Sequence, residues 1–202
     1  MPGYAIRNLI LYSMVVFTLF SCNSQETKQE EKSGQSNESF SGNANTPPHE
    51  PPGILENVLL TDSLNIPARL KLAGIYYSIG NTGKALDHYF FILRHDENNQ
   101  EAIVNVGNLY YDLHKYQEAI PYYERYLKTD KNNIGVRCDL ATCYLNIDDI
   151  PKAGSLLKEN LRINPNHPQS HYNLSVLLSR TGKQQEADAE MKIFTSLTSG
   201  QR

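Results

Sequence analysis

The sequence predicts an all-α solenoid of about four helical hairpins with an N-terminal capping helix, and three observations carry that prediction. Laid on itself at a shift of 34 residues, the chain aligns Ala85, Ala119, Ala153 and Ala187. The same shift superposes large apolar Leu72, Val106, Leu140 and Leu174, small Ala73, Gly107, Ala141 and Ser175, then Tyr76, Tyr110, Tyr144 and Leu178, and finally bulky Tyr89, Tyr123, Leu157 and Met191. Turn-forming clusters fall between these stripes, at Gly80-Asn81-Thr82-Gly83, Asp96 to Asn99, Asp130 to Asn133, Asn164 to His167 and Thr181-Gly182.

The elements follow in chain order. Residues 1–21 hold one cation, Arg7, and an apolar run from Leu9 to Phe20, the pattern of a secretory signal. A spanning helix needs roughly 20 apolar residues, so this shorter run favours cleavage over a transmembrane anchor. Leu19-Phe20-Ser21-Cys22 resembles a bacterial lipobox, although Phe20 stands where that pattern prefers a small residue. The resemblance implies lipidation of Cys22, which would hold the chain to a bilayer because each buried CH₂ adds about 0.8 kcal/mol. Asn23 is not the aspartate that retains many such lipoproteins at the inner membrane, so the expected address is the bacterial cell envelope, at the outer membrane. Residues 22–53 are rich in Gln, Glu, Ser, Asn and Pro with Phe40 the main apolar exception, and read as a solvated linker with a typical span of about 30 Å.

A capping half-repeat is expected at 54–65, because Ile54 to Asp62 falls in register with Tyr122 to Asp130 two units on. Such a cover shields the stacking face that an open solenoid end would expose. Four units follow at 66–99, 100–133, 134–167 and 168–201, with helices near 67–79, 84–95, 101–113, 117–129, 135–147, 151–163, 169–180 and 184–197. Within a unit the first helix presents a large apolar, a small and a tyrosine residue on one stripe. The small residue lets the second helix approach through its own alanine.

These columns and the segment VGNLYYDLHKYQEAIPYYERYLKTDKNN at 106–133 resemble the tetratricopeptide repeat (TPR). The resemblance covers about residues 66–197. It departs where the family's aromatic near the start of the first helix is replaced by Arg69, Ile103, Arg137 and His171. It implies a right-handed TPR superhelix whose concave face, lined by first helices, takes an extended peptide or a helix. The side chains in register with that face are Lys71, Tyr77, Glu101, Asn105, Asn108, Tyr111, Asp112, Cys138, Asp139, Thr142, Asn146, Tyr172 and Asn173. Amides and tyrosines predominate among them, which suits hydrogen bonding to a peptide backbone. The family's clamp for a C-terminal carboxylate is not expected, because its columns hold Leu70, Gly74, Gly135 and Asp139, with only Asn105 kept.

Catalysis, cofactors and metals are not expected. Gly80-Asn81-Thr82-Gly83-Lys84 has two residues between its glycines where a phosphate loop needs four. His167 and His171 are four apart, but Pro168 starts a helix and leaves His167 at its cap, off metal-binding geometry. Cys138 and Cys143 point about 140° apart on one helix, cannot pair with each other, and are expected to be free thiols. The net charge of −3, with scattered Lys and Arg, argues against nucleic acid. The expectation is a non-catalytic, membrane-tethered TPR lipoprotein that acts as adaptor or assembly factor, with a protein or peptide in its groove. The alternatives are a component of cytochrome c or pilus biogenesis, or an envelope protein that self-associates through Tyr122, Tyr123 and Tyr126.

Overall fold

The computed structural model describes residues 52–199. Cys22, the signal segment and most of the linker lie outside the described residues. Among the described residues nine helices run in chain order: α1 (Pro52–Thr61), α2 (Ile66–Ser78), α3 (Thr82–His95), α4 (Gln100–Asp112), α5 (Tyr116–Thr129), α6 (Ile134–Asn146), α7 (Ile150–Ile163), α8 (Pro168–Arg180) and α9 (Gln184–Ser199). No strand occurs among the described residues. None of these helices is long and apolar enough to cross a membrane.

The helix starts repeat as regularly as the interior does. Asn65, Asn99 and Asn133 each accept the backbone N–H three residues on, at 2.9, 3.0 and 3.0 Å, and so cap α2, α4 and α6. His167 takes the fourth such position, its Nδ1 accepting from the Ser170 N–H. At the second helices Asn81 and Asp149 cap in the same way, whereas Lys115 provides no side-chain cap to α5. Because α5 also carries Pro121 in its interior, it leans more heavily on tertiary packing than α3 or α7.

That packing follows the 34-residue columns. Ala85, Ala119 and Ala153 are completely buried, and Ala187 nearly so. A Cβ added at Gly107 would stand 2.8 Å from Tyr123 Cε1, which shows how closely α4 and α5 approach. Tyr89, Tyr123 and Leu157 fill the interior, but Met191 of the same column is exposed because no described helix follows α9. Burial of Tyr123 also corrects the expectation of an outer tyrosine patch: only Tyr122 and Tyr126 keep partial access to solvent. The apolar interior forms two clusters joined by Tyr110, which packs against both.

The capping helix begins earlier and ends sooner than expected, with Pro52 and Gly53 helical and residues 62–65 forming the turn into α2. Proline serves well in a first helical turn, where its missing N–H has no partner to lose. Leu55 is buried against the first hairpin. A pair of equivalent bonds lies 68 residues apart: Tyr76 donates to Glu56 of α1, as Tyr144 donates to Glu124 of α5. Thus α1 packs on the first hairpin as α5 packs on the third.

Candidate functional site

Each hairpin packs on the next so that α2, α4, α6 and α8 approach one another in sequence, while α3, α5, α7 and α9 do not. The first helices therefore lie on the inside of the curve, and their unburied stripe is the candidate surface. Three kinds of position occur along it.

The first kind is used up inside the fold. Asn105, Thr142 and Asn173 are buried, and Tyr111 is 8% exposed. Asn173 Nδ2 donates to Thr142 Oγ1 at 2.9 Å and to Cys138 Sγ at 3.3 Å, joining α8 to α6. Thr142 in turn donates to the Cys138 carbonyl at 3.0 Å. Burial, with the nearby Asp139 carboxylate, pushes the Tyr111 phenol well above its ordinary range. Thr142 and Asn173 fasten α6 to α8, Asn105 and Tyr111 are withdrawn from solvent, and the expectation that Asn105, Tyr111, Thr142 and Asn173 offer open contacts is corrected on that ground.

The second kind is half-open and held in place. Asn108 accepts from Tyr123 Oη at 2.9 Å, and Asn146 donates to the Thr142 carbonyl at 2.8 Å. Tyr77 donates across the α2–α4 junction to Asp112. Burial and that carboxylate push its phenol up. Tyr172 tilts against Phe194 at 5.3 Å, a contact with α9.

The third kind is open: Lys71, Glu101 and Asp112 are exposed, and Asp139 is partly so. Partial burial still raises the Glu101 carboxyl. Removal of the buried amides and the threonine from the accessible set changes the character of the face. What remains pairs tyrosine with carboxylate, with Lys71 the cation of the set, so its field is negative.

Neither histidine pair nor thiols assemble a reaction centre. His171 contacts Glu190 at 2.6 Å through Nδ1 and the Pro165 carbonyl at 2.8 Å through Nε2, whereas His167 is spent on its cap. No group of three candidate metal ligands occurs among the described residues. Cys143 is a free, buried thiol whose titration burial pushes far up, which disfavours the thiolate. The expectation of a free thiol holds for Cys143 and not for Cys138.

Comparisons with known proteins agree on the architecture. The family model for the fourth ARM domain of tetratricopeptide repeat protein 21 matches residues 103–202. Among solved structures, MamA from Desulfovibrio magneticus RS-1 (residue 41 to the end) is similar with a TM-score of 0.70 at 14% identity, over 74% of this chain and 85% of that one. MamA AMB-1 gives 0.67 at 22% identity, over 75% and 82%. A further MamA crystal structure gives 0.68 at 19%, over 74% and 87%. No curated protein matches the chain in sequence. The fold thereby defines the class: this is a helical-repeat solenoid of the TPR type.

Proposed function

We propose that this chain is a non-catalytic protein-interaction module, tethered to a bacterial membrane through lipid on Cys22 and acting as an adaptor or assembly factor in the cell envelope. The observation that carries the reading is the inner face itself. Its open positions combine tyrosine and carboxylate, its buried Asn173 and Thr142 are bonded to each other, and among the described residues no group of three candidate metal ligands occurs. The partner that suits such a face is a peptide or helix presenting Lys or Arg, since complementary charge steers encounter and selects among partners. Similarity to MamA supports the scaffold architecture only.

The test is site-specific cross-linking. A photoreactive residue in place of Glu101 should capture a protein that the same group at the outward Lys158 does not. Asp112→Lys with Asp139→Lys should abolish the capture while helicity is unchanged. Equal capture at both positions, or indifference to charge reversal, would move binding off the inner face. The tether is tested separately: Cys22→Ser should release the chain from the membrane fraction, and intact-mass measurement distinguishes acylated Cys22 from a disulfide.

A further inference from the structure

A second surface of opposite charge lies on the outer side, between the second and third hairpins. Because α5 and α7 do not touch, a cleft of about 450 Å³ opens between them with α6 as its floor. Leu127, Leu140, Tyr144 and Leu156 make it apolar, and Lys128, Lys131, Arg137 and Lys152 surround it. Its one acid, Glu124, is occupied by the Tyr144 hydroxyl at 2.5 Å.

Arg137 is the informative member. It is 7% exposed, its Nη1 donates to Asn160 Oδ1 at 3.1 Å, and among the described residues no carboxylate comes within ion-pair distance of it. Glu159 and Asp130 attract it only from beyond ion-pair distance, so a carboxylate delivered to this buried guanidinium at contact would gain from the low dielectric. Lys128 and Lys131 likewise make no ion pair among the described residues, and Lys152 pairs with Asp149 at 3.1 Å.

The repeat supplies an internal control. In the corresponding cleft 68 residues earlier, Leu60 and Ser63 stand where Lys128 and Lys131 are. There Arg69 is satisfied by the Ser63 carbonyl, at 2.9 and 2.7 Å, and by the face of Phe91, 3.4 Å from its ring centroid. The same scaffold position has thus been closed in one place and left open and cationic in the other.

We infer that the α5–α7 cleft docks an acidic segment of a partner protein, one bulky apolar side chain entering the cleft and flanking carboxylates meeting Arg137 and the lysines. The volume suits one or two such side chains. This site is separate from the inner face, and its charge calls for a partner segment of the opposite kind.

Fluorescence anisotropy of the purified protein tests the inference with a labelled nine-residue peptide carrying one central phenylalanine flanked on each side by two glutamates. Saturable binding is expected, weakened at least about tenfold by Lys128→Glu with Lys131→Glu. Ser155→Trp, at an exposed lining position, should block it. The peptide with serine for phenylalanine should bind at least about tenfold more weakly, and the peptide with lysines for glutamates not at all. No saturation with the acidic peptide, unchanged affinity in both variants, or equal binding of the lysine peptide would overturn the proposal. Displacement of the peptide by phosphatidylglycerol vesicles, with the lysine pair required for vesicle binding, would overturn it in favour of a membrane surface.

Discussion

Tyr144 of α6 donates its phenolic proton to Glu124 of α5 at 2.5 Å, across the junction between the second and third hairpins. The bond rotates neither helix within its own hairpin but fixes how one hairpin sits on the next. Lys152 completes the arrangement, 4.7 Å from the Tyr144 ring. A hydrogen bond to a charged acceptor contributes about 1.5–3 kcal/mol when buried, and this one is partly solvated. A double-mutant cycle of Tyr144→Phe and Glu124→Gln should therefore show a coupling of about 1 kcal/mol in urea unfolding. Additive losses would mean the bond contributes nothing to the junction.

Gly107→Ala sets two effects against each other. Alanine gains about 1 kcal/mol in helix propensity, and overpacking costs about 1–3 kcal/mol. The first hairpin carries Ala73 and Tyr89 in the same two columns, both buried, so the combination is compatible with the scaffold. In the second hairpin Tyr123 is buried and pinned to Asn108 at 2.9 Å, and the added Cβ would meet its ring at 2.8 Å. Overpacking should win, with a net loss of about 1 kcal/mol and a lower melting temperature. In a Tyr123→Phe background the ring is free to shift and the penalty should shrink.

Much of this was legible beforehand, for a physical reason. Periodic burial leaves a periodic sequence, so the alanine, small-residue and tyrosine columns carried the all-helical solenoid fold. The inner face was read less well. Register places Asn105, Thr142 and Asn173 on the inward stripe, but only coordinates show that neighbouring first helices come close enough to bury them against each other. The outer cleft was missed because its cations come from three helices and a turn, at Lys128, Lys131, Arg137 and Lys152, and no local spacing ties them together. The left-handed residues His114 and Asp148 escaped notice for the opposite reason: they match Gly80 and Gly182 in register but not in residue type.

His88 predicts a pH dependence. Its ring stacks on Tyr76 at 5.7 Å, and Arg69 Nη1 approaches its Nδ1 at 3.4 Å, so the neutral ring accepts from a cation. Partial burial, then the Arg69 charge, lowers its pKa below the ordinary value of 6.5, against weaker opposing pulls from Asp87 and Glu56. The unfolded chain therefore takes up this proton first. The contribution to stability is whole above the unfolded value and is lost as pH falls through the lower folded one. Proton NMR should show the His88 ring titrating below 6.5, and His88→Gln should lose less stability than the parent between pH 7 and 5.

Asn173 and Thr142 form a buried pair whose removal should be strongly non-additive. Thr142→Val leaves Asn173 Nδ2 with only the Cys138 sulfur, and Asn173→Leu leaves the Thr142 oxygen without that donor. Either change alone should cost about 1–3 kcal/mol, the penalty for an unsatisfied buried polar group. The double variant should cost less than the two losses together, measured by chemical unfolding. A simple sum would show that the hydrogen bond between them is not what joins α8 to α6.

The turn after each first helix requires a left-handed residue, at φ +76° for Gly80, +57° for His114, +63° for Asp148 and +77° for Gly182. Two backbone bonds demand it: in the third hairpin the Asp148 N–H donates to the Leu145 carbonyl at 3.3 Å and the Asp149 N–H to the Tyr144 carbonyl at 2.9 Å. An L side chain at such a φ is strained, and the Asp148 carboxylate also faces the negative end of the α6 dipole. Asp148→Gly should therefore stabilise the protein by about 0.5–1 kcal/mol despite the entropy glycine adds to the unfolded chain. Gly80→Ala is the reciprocal test, since an added Cβ there meets nothing within 4 Å and any loss must come from the backbone. A loss of about 1 kcal/mol at position 80 and a gain at 148 would establish one shared turn geometry, while opposite signs would mean the aspartate makes a local hydrogen bond that outweighs its strain.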